Sequence, residues 1–82
     1  MDYYMGALML VAYNWAPRGW AVCNGQMLEI TQYTALFSLL GVNYGGNGTT
    51  NFALPNLPGP KDANGSPLTW IICLQGVFPQ RD

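Results

Sequence analysis

The sequence predicts an α+β domain: a small, antiparallel-rich sheet of about four short strands, one short helix packed on it, and long glycine- and proline-rich loops. Three observations predict it. Two strongly apolar runs, residues 5–13 and 68–74, lie at opposite ends of the chain and read as strands. Between them, residues 31–40 carry apolar side chains at the i, i+3, i+4, i+7 spacing of one helical face. Turn-forming residues punctuate the rest, with 10 glycines and 6 prolines in 82 residues.

Taken in order, residues 5–13 are apolar without alternation, so both faces of that strand need cover. The domain's own helix can bury one face; the other needs a second layer or a neighbouring subunit. Residues 14–19 form a loop, in which Pro17 fixes φ and Gly19 permits a tight turn. Residues 20–23 make a second short strand. Asn24-Gly25 then reads as a two-residue hairpin turn, because both positions tolerate φ > 0. Residues 26–30 alternate polar and apolar and form the returning arm.

The helix is expected to open at Thr31, whose hydroxyl can accept a free N–H of the first turn. Its apolar face is Tyr33, Leu36, Phe37 and Leu40, and Gly41 ends it. So short a helix is marginal until that face is docked. Phe52, Leu54 and Leu57 supply a nearby apolar strip, reached through a sharp turn at residues 44–48. The strip runs extended into Pro55, since the residue before a proline is driven from the helical region. Residues 56–67 read as an exposed connector, and residues 68–74 as the last strand. The first and last strands are expected to pair at the centre of the sheet, with the hairpin beside them and the helix across one face.

The length fits one domain, residues 1–82. A folded monomer of this mass exposes roughly 4,800 Å² and buries about 60% of its unfolded surface. Half the residues are hydrophobic and only 9% are charged, against about 25% in an ordinary soluble domain. Four of the seven charged side chains are Lys61, Asp62, Arg81 and Asp82, in the connector and the C-terminal tail. The body is therefore close to charge-free, and large apolar exposure of that kind marks an interface. An obligate oligomer, or a part built into a larger assembly, follows. The alternative is a monomer coated with Asn, Gln, Thr and Gly.

A net charge of −1, with no histidine and no basic stripe, argues against nucleic-acid binding by charge neutralisation. The apolar run at residues 5–13 is too short to span a bilayer. It also lacks the cationic flank and clean small-x-small site of a signal peptide. Neither membrane insertion nor signal-directed export is expected.

The inventory of chemistry-bearing residues is thin. Residues 45–50, GGNGTT, have no lysine and follow a helix instead of preceding one, so they read as a turn and not a phosphate cradle. Cys23 and Cys73, without histidine, cannot supply a four-ligand metal set. A disulfide between them depends on strand neighbourhood; free buried thiols are the expected state. No cation close in sequence activates either thiol. The carboxylates Asp2, Glu29, Asp62 and Asp82 are unpaired at helical or strand spacing. The chain reads as no enzyme, with no cofactor. Trp15, Arg18 and Trp20 cluster around Pro17. They form either an aromatic platform with one guanidinium, suited to stacking on a sugar or gripping a partner, or tryptophans that pin the loop to the core.

Residues 35–41 (ALFSLLG), 44–48 (YGGNG) and 52–57 (FALPNL) resemble the signature of the phage tail collar domain family, which includes the microcystin-dependent proteins. Residues 15–26 (WAPRGWAVCNGQ), 31–34 (TQYT) and 70–79 (WIICLQGVFP) agree with it in the same order. The resemblance covers nearly the whole chain. It implies a component of a bacteriophage tail or of a phage-derived contractile injection machine, made in the host bacterial cytoplasm. It also implies a homotrimer that continues or caps a fibre on a larger tail protein. Many such proteins attach to host-surface glycans, but the long segment where receptor contacts are expected is here only the connector at residues 58–67.

The expected roles follow. Met5, Ala7, Met9, Val11, Trp70 and Ile72, on the two apolar runs, are assigned to an oligomer interface. Trp15, Arg18, Trp20, Tyr44 and Asn47 are assigned to contact with a partner or glycan. A small stand-alone adhesin of the tail tip is the alternative function.

Overall fold

A computed structural model describes residues 3–80. Asp2, Arg81 and Asp82, which frame the chain with charge, lie outside the described residues. The architecture is α+β, in the order β1 (Leu8–Val11), β2 (Trp20–Val22), β3 (Met27–Glu29), α1 (Thr34–Leu40), β4 (Asn51–Ala53) and β5 (Thr69–Cys73). All pairings between strands are antiparallel.

β5 is rich in β-branched and aromatic side chains, which suits a pleated, covered surface, and it is the longest strand. It holds the centre of a three-stranded sheet in the order β1-β5-β2. The first and last apolar runs do pair, Leu8 opposite Ile72 and Leu10 opposite Trp70, but β1 lies at the edge. It is also shorter than residues 5–13. Ala7 donates to the Tyr4 carbonyl and Met5 to that of Val77, so residues 4–7 turn instead of extending.

The expected hairpin at Asn24-Gly25 does not form. β2 pairs with β5, while β3 pairs with β4 in a separate two-stranded sheet. The dipeptide is instead the corner where the chain leaves one sheet for the other. Gly25 donates its N–H to the Pro55 carbonyl, and the Asn24 side-chain oxygen accepts from Gln26. A bridge between Asn24 and Asn56 fixes the corner from the far side.

The helix begins three residues later than Thr31. Tyr33 occupies the cap position with φ −133° and makes no side-chain capping bond. A turn at residues 30–32 precedes it, in which Tyr33 donates to the carbonyls of Glu29 and Ile30. Gly41 closes the helix as expected, at φ 58°, donating to the Phe37 carbonyl. One core joins all three parts: Ala21, Cys23 and Ile72 from the first sheet, Leu36 from α1, and Phe52 and Leu54 from the β4 segment. The Phe37 and Phe52 rings lie 5.4 Å apart, so the helix docks on the apolar strip that follows the glycine turn. That docking stabilises a seven-residue helix that would be marginal alone.

Candidate functional site

The loop between β1 and β2 separates the two tryptophans. Trp20 is half-buried and meets Tyr3 edge to face at 5.2 Å. Its N–H bonds the Pro17 carbonyl, and Leu74 donates to Gly19, so this end of the loop is pinned to the sheet. Trp15 is 57% exposed. It stacks on Tyr13 with centroids 4.6 Å apart and planes tilted by 30°. Arg18 is exposed at the turn between them. Trp20 therefore packs, whereas Trp15 and Tyr13 present a paired aromatic surface. Tyr13 was not singled out from sequence, because the apolar run places it inside a strand and the structure puts it just past the end of β1.

Tyr44 and Asn47 sit on the glycine turn and are both exposed. Asn47 is spent internally. Its carbonyl oxygen accepts from the N–H groups of Thr49, Thr50 and Asn51, and its amide donates to the Thr50 hydroxyl. Gly46 lies against β4, where a Cβ would stand 2.5 Å from the Phe52 Cα. This turn covers the outer edge of β4, and the Asn47 side chain keeps one amide N–H beyond its internal bonds.

The residues assigned to an interface divide between core and surface. Ile72 is 1% exposed and Val11 is buried, while Met5, Ala7, Met9 and Trp70 are partly buried. The exposed apolar residues of the strand are its even-numbered ones, Leu8 at 46% and Leu10 at 36%. Sequence could not separate them from Met9 and Val11, since every position of β1 is apolar.

Hydrogen bonding distinguishes the strand edges. Cys73 donates to the Ala7 carbonyl while its own carbonyl accepts from Gly6, which sets the phase of the ladder and makes Met9–Ile71 and Val11–Thr69 the bonded pairs of β1 and β5. Leu8 and Leu10 therefore turn their N–H and C=O groups outward. Neither residue bonds another described residue beyond the ladder. The β2 and β4 edges are turned in on themselves, and the β3 edge only in part. On β2, Trp20 donates to Pro17 and the Val22 carbonyl accepts from Asn24 and the Gln26 amide. On β4, Gly45, Gly48 and Asn47 serve Ala53 and Asn51. On β3, the Glu29 carbonyl accepts from Gln32 and Tyr33, but the backbone groups of Met27, 57% exposed, face outward without a partner among the described residues.

Both cysteines are free and buried. Cys23 lies beside Trp70 and Cys73 opposite Trp20, three residues apart along β5. At about 3.3 Å per residue this places them roughly 10 Å apart along the strand direction, beyond disulfide reach. Burial pushes the Cys23 thiol up to about 11, away from the reactive thiolate. Among the described residues no group of three or more His, Cys, Asp or Glu comes together, and no helix is long and apolar enough to cross a membrane.

None of the curated proteins compared matches the chain significantly. The model of one family, the Phage Tail Collar Domain, matches residues 6–60, which span both sheets' early strands, the helix, the glycine turn and the Pro55 corner. With 55 of its 82 residues matched, the chain belongs to the phage tail collar domain family.

Proposed function

We propose that the chain is a structural subunit of a phage tail or of a phage-derived contractile injection machine. In this reading it self-associates, docks on a larger tail protein as a collar or fibre cap, and catalyses nothing. One observation carries the reading beyond family membership. The chain exposes 5613 Å², against roughly 4,800 Å² for a compact monomer of its mass. Its radius of gyration is 13.3 Å, where about 12 Å is ordinary for this length. Leu8, Leu10, Tyr13, Trp15, Met27, Val77 and Phe78 are among the exposed apolar residues, and little charge is present to solvate them. Light scattering at micromolar concentration tests the reading. An oligomer is expected, three copies being the number implied by the family resemblance; a monomer overturns it.

The stacked Tyr13–Trp15 pair favours a second reading, a small adhesin that holds a host-surface sugar on an aromatic face, with the exposed Arg18 three residues further along the same loop. Aromatic faces take the apolar side of a pyranose ring, and a guanidinium can bond its hydroxyls. Glycan-array binding that disappears in Trp15→Ala is expected. An array that stays blank for the intact protein removes this reading and leaves the structural one untouched.

A further inference from the structure

We propose that the tip of the connector carries a site of spontaneous covalent modification. There Asn64 loses its side-chain amide to attack by the backbone nitrogen of Gly65, and the fold confines this reaction to one of three like dipeptides. Asn-Gly stands at Asn24-Gly25, Asn47-Gly48 and Asn64-Gly65. Glycine has no Cβ to shield its nitrogen, so each pair sets a backbone nucleophile beside a side-chain amide carbon. In the reaction the Gly65 nitrogen bonds to the Asn64 Cγ and the Cγ–Nδ2 bond breaks. The proton that the nitrogen gives up to solvent is matched by one taken up by the departing ammonia, and a cyclic imide remains. Water opens that ring at Cγ to give aspartate, or at the main-chain carbonyl to give isoaspartate, in which the backbone runs through Cγ. One water enters, one ammonia leaves, and nothing is oxidised or reduced. The product is a carboxylate, which takes the chain from a net charge of −1 to −2.

The three sites differ in how much structure must open before the nitrogen can reach the amide carbon. At Asn47 the side-chain oxygen holds three backbone N–H groups and the amide holds the Thr50 hydroxyl. Its neighbour Gly48 is half-buried, donates to the Asn51 carbonyl, and leaves a Cβ only 3.1 Å from Val42. At Asn24 the side-chain oxygen accepts from the Gln26 N–H. Gly25 is half-buried and donates to the Pro55 carbonyl, and a Cβ there would stand 3.3 Å from Asn56. Freeing either nitrogen therefore disturbs packing against β4 or its Pro55 corner. Asn64 is held by much less. Its side chain makes no hydrogen bond among the described residues; only its backbone N–H is engaged, by the Asp62 carboxylate. Gly65 is exposed, a Cβ there would meet nothing within 4 Å, and one turn bond to the Asp62 carbonyl restrains its N–H. An opening limited to residues 62–66 frees that nitrogen while Lys61 still bridges Pro67 and Leu68 still bonds Pro60. Openings that small lie at the low end of the free-energy range for local unfolding.

The test follows the full chain at pH 8.5 and 37 °C by peptide mapping, with and without guanidinium chloride. In the folded chain aspartate and isoaspartate are expected at position 64 at least about tenfold faster than at 24 or 47, the factor that one or two extra hydrogen bonds impose on opening. In denaturant the three rates are expected to converge. Hydroxylamine, which cuts the chain at the imide, is expected to release residues 1–64 and 65–82 from the folded protein and to cut at all three sites once it is denatured. Asn64→Gln should abolish the early release of ammonia, since a glutamine must close a larger ring, and should leave the rates at Asn24 and Asn47 unchanged. Conversion of Asn24 or Asn47 as fast as Asn64 in the folded chain overturns the proposal. So does a preference for Asn64 that persists in denaturant, because the fold would then not be its cause, and so does ammonia release undiminished in Asn64→Gln.

Discussion

At the residue level, one side chain has a role that sequence alone did not assign, and another has a consequence for pH dependence. Asn47 was assigned to contact with a partner or glycan. In the folded chain its oxygen takes three backbone N–H groups that the turn would otherwise leave to water. Asn47→Ala should therefore lower stability by about 1–2 kcal/mol. Thermal unfolding would register this as a drop of roughly 4–8 °C per kcal/mol, with no effect on any ligand beyond that loss.

Cys23 was correctly expected to be a free buried thiol. Its acidity has a consequence for pH dependence. An unfolded thiol ionises near 9.0, and burial holds the folded one to about 11. Above pH 9 the unfolded chain thus sheds a proton that the folded chain retains, and stability falls as pH rises towards 11. Urea midpoints at pH 7 and pH 10.5 should diverge more in the wild type than in Cys23→Ala. Equal divergence would mean that the thiol contributes nothing.

At the level of elements, strand and helix positions were legible, and the partners were not. Apolar runs mark where strands lie because burial is a property of composition. Asn-Gly marks a tight turn because φ is a local property. Which strand answers which is decided by bonds between distant residues, here Gly25 to Pro55 and Leu54 to Gln26. Those outcompeted the local hairpin. The helix start was misplaced for a related reason. Thr31 has cap chemistry, but residues 30–32 are already committed to a turn closed by the Glu29 carbonyl. Substitution should separate the two contributions. Leu36, 1% exposed at the centre of the helix face, should cost about 2–5 kcal/mol as Leu36→Ala. Thr31→Ala should cost less than about 0.5 kcal/mol. Chemical denaturation of both variants checks the pair, and equal losses would mean that Thr31 caps the helix after all.

At the level of the whole molecule, the α+β class was accessible because a single helical period stood among strand-like runs. The division into two sheets was not, since nothing along the chain marks a change of sheet. The low charge content, in contrast, was plain from composition and carries over directly to behaviour. Contacts made by leucine and aromatic surface are screened little by salt. The proposed self-association should accordingly change less than about threefold between 50 and 500 mM sodium chloride in sedimentation equilibrium. A strong decline would assign the contact to Arg18, Lys61 and the few carboxylates instead.

The connector ends in a small closed stem. Lys61 bridges Pro67, Leu68 donates to the Pro60 carbonyl, and Asp62 and Ser66 are bonded around Asn64 and Gly65. Because the two roots are already held together, lengthening the tip costs only slowly growing loop-closure entropy. Foreign sequence spliced between Asn64 and Gly65 would start and finish at one fixed spot, leaving both sheets intact. The protein thus comes with a ready-made mounting post, on which a tail particle could carry cargo of quite different shape.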